Sequence, residues 1–319
     1  MDDQAGNFDA ALPVGPAEDA SSLPSAHLPE EQFCHLREDV RQQAKLANAK
    51  RIELIRQGVV IEHPAFAQAL NEVSWLLTHP GGNIGRGMLL LGDSGMGKTT
   101  FGKFVCAFFG TGEDAGRIVM FDASGARTTR EVYGRILQSL DGPAARNMHG
   151  PDREQAVVRL FRALNVRALI VDEVQDIAKG SEREQQRVLD GIKFVMNTAG
   201  VSLIGLGAPE SERALVTDRH LAQRLPVHRL EPWRVDQQFL DFLSTVTESF
   251  PLRNPSQVRN EKVLKYLIGQ TEGSLRPIMD LLTKAAVRAI QTGRECLTLE
   301  GLQEAATAPP RMGGLSDAA

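Results

Sequence analysis

The sequence predicts an α/β protein: a parallel sheet flanked by helices, followed by a small C-terminal helical domain. Three observations predict it. Short apolar runs of four to six residues alternate with helix-periodic stretches between Met88 and Leu230, the pattern of a parallel sheet buried on both faces. A glycine-rich loop joins the first of these runs to a helix. After Pro232-Trp233 only helical patterns follow.

In chain order, residues 1–30 are rich in Ala, Pro, Asp and Ser. They hold too few large apolar side chains to offset the entropy of ordering and read as a disordered leader. Residues 31–62 form a polar helical extension anchored by Leu36, Val40, Leu46, Ile52 and Ile55, docking on the body or on a partner. The α/β domain covers 63–232. His63-Pro64 opens a helix in which Phe66, Leu70, Val73, Leu76 and Leu77 recur at helical spacing, and Pro80-Gly81-Gly82 ends it. Strands are expected at Met88–Leu91, Arg117–Phe121, Ala168–Val171, Val201–Leu206 and Val227–Leu230. Between them lie helices through Phe109, near Thr129–Leu140, around Val157–Leu164, over Glu182–Thr198 and, briefly, over Pro209–Val216. Residues 233–308 form the helical domain, with apolar sets Phe239/Leu240/Leu243, Val263/Leu264/Leu267/Ile268 and Ile278/Leu281/Leu282/Ala285/Ala289; 309–319 read as a flexible tail.

Composition narrows the function. The 319 residues carry a net charge of −4, but six acids and no Lys or Arg fall in residues 1–30, which leaves the remainder at +2. At 42% hydrophobic and 24% charged this is an ordinary globular composition. No apolar run is long enough to span a bilayer, and the acidic N-terminus lacks the basic and apolar regions of a signal peptide. Cys34, Cys106 and Cys296 are far apart, which excludes a disulfide framework or a CxxC metal site and suits a reducing cytoplasm. Aromatic residues at 5% argue against a single-strand binder built on base stacking.

Two motifs carry chemistry. Gly92-Asp93-Ser94-Gly95-Met96-Gly97-Lys98-Thr99, followed by Thr100, fits the G-x-x-x-x-G-K-[ST] phosphate loop between a strand and a helix. Gly95 and Gly97 let the backbone approach phosphate, the helix N-terminus adds positive partial charge, Lys98 reaches the β- and γ-phosphates, and the Thr99 hydroxyl ligates Mg²⁺. Ala168-Leu-Ile-Val-Asp172-Glu173 places two acids at the carboxyl end of a buried strand, where open α/β sheets bind ligands. Asp172 would hold Mg²⁺ and Glu173 would act as base on the attacking water of an ATP hydrolysis. Gln175 and Asp176 either support the two acids from behind or merely initiate a helix, and the helix-initiating reading is preferred. Thr271-Glu-Gly-Ser-Leu-Arg276 starts a helix whose Arg276 can aim back at a nucleotide. Arg224, preferred to Arg219, precedes the last strand and could enter a neighbouring subunit's site as an arginine finger.

With these features in this order, residues 63–308 resemble an AAA+ ATPase. Within that superfamily the chain looks most like the bacterial transposition ATPases called TniB, relatives of TnsC. The matching residues are the phosphate loop, Leu169-Ile-Val-Asp-Glu-Val-Gln, Gly205-Leu-Gly-Ala-Pro-Glu210 and Arg224-Leu with Leu230-Glu-Pro-Trp233. The resemblance implies an ATP- and Mg²⁺-dependent protein that assembles on double-stranded DNA as a ring or helical filament. It implies recruitment of a TniA/TnsB-like transposase, contact with a TniQ-like target-selection protein, and slow hydrolysis to ADP and phosphate. The alternatives are a helicase loader or replication initiator, and an ATP-gated scaffold with little hydrolysis. One departure stands out: where such families place a polar sensor, commonly Thr, this chain has Gly207-Ala208. That points to slow turnover, or to the sensing role falling to Asn197 or another residue. Arg127, Arg130, Arg146 and Arg153 are the candidate DNA contacts. A body at only +2 predicts modest DNA affinity per subunit, made up by multivalent assembly.

Overall fold

Five strands form one parallel sheet in the order β2-β3-β4-β1-β5: β1 (Gly87–Gly92), β2 (Arg117–Asp122), β3 (Val166–Asp172), β4 (Ser202–Gly207) and β5 (Val227–Leu230). The computed structural model describes residues 33–58, 64–78, 85–110, 116–142, 148–212 and 222–307. Each strand lies within two residues of its sequence expectation at either end. Alternation along the strands fills two apolar layers. Met88, Leu90, Ala168, Ile170, Ile204 and Leu206 face α3 (Pro64–Thr78) and α4 (Lys98–Phe109). Leu89, Leu91, Leu169, Val171 and Leu203 face α5 (Thr129–Ser139), α6 (Gly150–Ala163) and α7 (Glu182–Ala199). Each of the larger of these side chains taken from water contributes roughly 1.5–3 kcal/mol. Capping boxes, Thr128 with Glu131 and Ser181 with Glu184, fix the starts of α5 and α7.

The helical domain holds α8 (Gln237–Glu248), α9 (Glu261–Thr271), α10 (Leu275–Gln291) and a further helix, α11 (Leu299–Thr307). Phe239, Leu243, Leu267, Ile278, Leu282 and Leu302 form its core, joined by Trp233 from the connection after β5.

The N-terminal extension is helical but broken into short pieces. It is a one-turn α1 (Glu38–Arg41), a 3-10 turn (Gln43–Lys45) and α2 (Asn48–Gln57). Leu46, expected as an anchor, is 40% exposed, because the backbone is extended at Leu46 and Ala47 and turns the side chain outward. The extension packs on the helical domain. Ile55 enters that domain's core, and the Arg37 N–H donates to the Glu248 carbonyl at 3.1 Å. Arg51 is wholly buried, with both guanidinium arms 2.7 Å from the Glu295 carboxylate, and it also donates to Asn48 Oδ1 and the Pro251 carbonyl.

The expected leader, tail and breaks at His63 and Pro80-Gly82, and the helix expected beyond Glu212, lie outside the described residues. Among the described residues no helix is long and apolar enough to cross a membrane.

Candidate nucleotide site

The carboxyl ends of β1, β3 and β4 border one cleft of about 570 Å³, closed on its far side by α10. The loop between β1 and α4 follows from its residues. Gly95 has φ +81°, and a Cβ there would press to 3.2 Å against both Arg276 Cβ and Ser274 Oγ, so only glycine fits without displacing the helical domain. Met96 is buried in the apolar layer under the loop, so its backbone alone is available to a ligand.

Lys98 opens α4 and is 8% exposed. Its ammonium donates to the carbonyls of Gly92 (2.6 Å) and Asp93 (2.8 Å). Burial lowers its pKa from the ordinary lysine value, and the nearby charges of Glu173, Asp172, Asp93 and Glu210 only partly restore it. The Thr99 hydroxyl donates to Asp172 Oδ2 at 2.7 Å, joining the phosphate loop to the end of β3. These hard oxygens are of the kind Mg²⁺ takes, so Thr99 and Asp172 fit the ion as a donor set. Glu173 follows in left-handed backbone, φ +55°, with its N–H donated to Asp172 Oδ1 at 3.0 Å. A non-glycine residue held there carries strain of about 1 kcal/mol or more, a cost that clusters at functional positions.

The helical domain reaches this loop directly. The Arg276 N–H donates to the Gly95 carbonyl at 3.0 Å, and the Arg276 side chain lines the cleft with no side-chain hydrogen bond or ion pair among the described residues. One wall of the cleft is apolar: Phe66 and Leu70 from α3, Phe104 from α4, Phe242 from α8 and Met279 from α10. Sequence reading places Phe66 and Leu70 on a buried helix face and misses the cleft, because helical periodicity does not distinguish a core contact from a pocket wall.

Other expected residues lie elsewhere. Asn197 is no sensor: its Oδ1 accepts the Gly85 N–H at 3.1 Å, just before β1, at the opposite end of the sheet from the cleft. Gln175 does enter a 3-10 turn (Val174–Lys179), but its side chain also bridges Glu173 and the Ala208 N–H. The Arg224 carbonyl accepts from the Gly87 N–H, about 17 Å along β1 from the phosphate loop. Arg224 therefore lies out of reach of this cleft. Of the DNA candidates, Arg127 and Arg130 are exposed at the start of α5. Arg153 corrects the expectation of an open cation. It is 7% exposed and donates to the carbonyls of Met148 (3.1 Å) and Arg130 (2.8 Å), binding α6 to α5. Arg146 and Arg219 lie outside the described residues.

A β4 strand inserted between the phosphate-loop strand and the Asp-Glu strand, with a helical domain seated on the loop, defines the AAA+ class of ATPases. Within that class, the family model described as bacterial TniB protein matches residues 51–235, more than half of the sequence. The chain belongs to the TniB family.

Solved structures of similar fold include ORC1 of Aeropyrum pernix in complex with DNA (TM-score 0.58, 20% identity, 78% of this chain and 65% of that one). Others are ORC2 of the same organism in ADPNP-ADP complexes (0.57, 17%, 76% and 66%) and Cdc6p of Pyrobaculum aerophilum (0.58, 19%, 80% and 70%). The chain thus spans about two thirds of the length of the ORC proteins. A search of curated protein sequences returns no match.

Proposed function

We propose that this TniB-family protein is an ATP-dependent, DNA-binding regulator of transposition. The observation that carries the reading is the convergence of Lys98, Thr99, Asp172, Glu173 and Arg276 on one cleft. ATP would set its phosphates on the loop and its adenine among Phe66, Leu70, Phe242 and Met279. Thr99 and Asp172 would hold Mg²⁺, which would supply charge neutralisation for the phosphates. Glu173 takes the proton of the attacking water, and Arg276 senses the γ-phosphate.

Arg224, far from its own cleft, would complete a neighbour's site. ATP would thereby favour the assembled state, since a ligand completed by two subunits binds the assembly more tightly than the monomer. The protein would form a ring or filament on duplex DNA in the cytoplasm, recruit a TniA/TnsB-like transposase, contact a TniQ-like targeting factor, and come apart on hydrolysis. Fold likeness to an ORC1 structure in complex with DNA supports the choice of partner. Arg127 and Arg130 are the remaining described candidates for phosphate contact.

Electron microscopy with ATP or a non-hydrolysable analogue and duplex DNA tests this. Salt-sensitive, nucleotide-dependent assemblies are expected, and a monomer indifferent to DNA under both nucleotides would sink the proposal. A second reading, an ATP-gated scaffold with little hydrolysis, is favoured by Ala208, which has no polar side chain to offer the γ-phosphate. Phosphate release measured with and without DNA separates the two. The replication-initiator alternative draws on fold likeness alone.

A further inference from the structure

One side chain between Glu173 and the tip of β4 has an arrangement that helix initiation does not explain. The Gln175 amide nitrogen donates to Glu173 Oε2, and its amide oxygen accepts the Ala208 N–H at 3.0 Å. It thus joins the end of β3 to the end of β4, and all three residues line the cleft. The approach to β4 is close. A Cβ added to Gly207 would lie 2.8 Å from Gln175 Oε1, 2.7 Å from Val174 Cγ1 and 2.6 Å from Ser211 Oγ. Glycine at 207 is what lets the amide reach the strand.

The chemistry selects an amide. A side-chain amide donates and accepts in one rigid plane, whereas an ionised carboxylate only accepts and an alanine does neither. The Gln175 NH₂ occupies one oxygen of Glu173 and fixes the plane of its carboxylate. The other oxygen stays available to a water. The Gln175 carbonyl ties that orientation to the backbone of β4, which borders the phosphate end of the cleft.

We infer that Gln175 is the positioning residue for Glu173, supplying from the turn after β3 the polar group that Ala208 cannot supply from the end of β4. The inference rests on the reading of Glu173 as the base. In that reaction the water oxygen bonds to the γ-phosphorus, the bond from phosphorus to the bridging oxygen breaks, ADP leaves, and the water's proton passes to Glu173. Gln175 touches none of the reacting atoms. It holds the acceptor of that proton in line.

The test compares the full chain and four variants with ATP, Mg²⁺ and duplex DNA: Gln175→Glu, Gln175→Ala, Glu173→Gln and the Glu173→Gln/Gln175→Ala double variant. Gln175→Glu is isosteric, keeps the acceptor for Ala208 and loses the donor to Glu173. Misplacing a catalytic group by an ångström costs up to about a hundredfold in rate. Both single Gln175 variants are therefore expected to lose about ten- to a hundredfold in kcat, with ATP affinity within about twofold of the parent. In the double variant, removing Gln175 should add nothing to the loss caused by Glu173→Gln, because groups that act as one unit are not additive. The proposal is overturned if the Gln175 variants turn over at the parent rate, if the loss falls on ATP affinity, or if the double variant slows further. A normal loss in Glu173→Gln with undisturbed Gln175 variants refutes the positioning role and leaves the base reading intact. A parent protein no faster than Glu173→Gln refutes the base reading and takes the positioning role with it.

Discussion

Among the described residues three cations are buried, Arg51, Lys98 and Arg153, and the surroundings of the first two differ in kind. Arg51, in the N-terminal extension, meets a full carboxylate: both arms reach Glu295, with Asn48 and a backbone carbonyl filling further donors. Lys98, in the phosphate loop, meets only neutral carbonyls, while the carboxylates around it act from a distance. A buried charge answered inside the chain holds the fold together. Arg153, whose carbonyl partners tie α6 to α5, holds the fold in the same way. Lys98 differs from both in lining a cleft: met only by the carbonyls of its own loop, it is held ready for an anion brought from outside, and burial lowers its pKa.

The largest expected effect follows from that contrast. Lys98→Ala should abolish ATP-dependent assembly on DNA and bring phosphate release to background, while unfolding free energy changes by no more than about 1 kcal/mol. Nucleotide titration and denaturant unfolding of the same preparation check both halves. A variant that unfolds but still binds ATP would reverse the contrast. Next comes Glu173→Gln, at about 10²- to 10⁴-fold in hydrolysis. ATP binding should survive, so assemblies on DNA should persist in the ATP state. Rapid disassembly of this variant would remove Glu173 as the base. Third is Arg51→Ala, which strands Glu295 in the interior and should cost about 3–5 kcal/mol of stability. The contrast requires ATP affinity, measured well below the new unfolding midpoint, to stay near that of the parent.

The same contrast explains what the sequence made legible. The phosphate loop is contiguous, so Lys98 and Thr99 can be read from spacing, and Asp172-Glu173 from the apolar run before them. The strand order follows less directly, yet four-residue apolar runs separated by helices already demand a parallel sheet. The Arg51–Glu295 clasp was not legible: its partners stand 244 positions apart, and Arg51 looks like any cation on a polar helix. Gln175 was misread for a related reason. Its partner Ala208, just past β4, is brought near only by the sheet order, so local sequence leaves a supporting role and a helix start both open and favours the second. Asn197 failed because α7 carries its last turn to the amino end of the sheet, away from the cleft. Arg153 failed because an arginine inside an amphipathic helix does not reveal whether carbonyls from a neighbouring helix wait beneath it.

A smaller effect probes the cleft from its other wall. Arg276 has no side-chain partner among the described residues and lines the cleft, so it resembles Lys98 rather than Arg51. Arg276→Ala should weaken ATP binding by about tenfold, within the range for one charge-assisted hydrogen bond at a partly exposed site, and leave ADP binding nearly unchanged. Equal losses for the two nucleotides would mean that Arg276 does not read the γ-phosphate.

The smallest effect is the pH dependence that the clasp contributes. Burial on its own would raise the Glu295 carboxyl. The hydrogen bonds and charge of Arg51, with the backbone N–H and charge of Arg253, outweigh burial and hold it below the usual carboxylate range. As pH falls, the unfolded chain therefore binds a proton at this position before the folded one does. The stabilisation is complete above the ordinary glutamate value of about 4.3 and is lost as pH falls through the lower folded value. Amide exchange resolves this by position. Protection of α2 should fall faster with acid than protection of the sheet, because α2 is tied to the helical domain through Arg51. In Glu295→Gln, α2 should already be less protected at neutral pH, and the extra acid dependence should vanish. If α2 and the sheet lose protection in parallel in both proteins, the clasp is not what holds the extension, and Arg51 and Lys98 differ less than their geometry says.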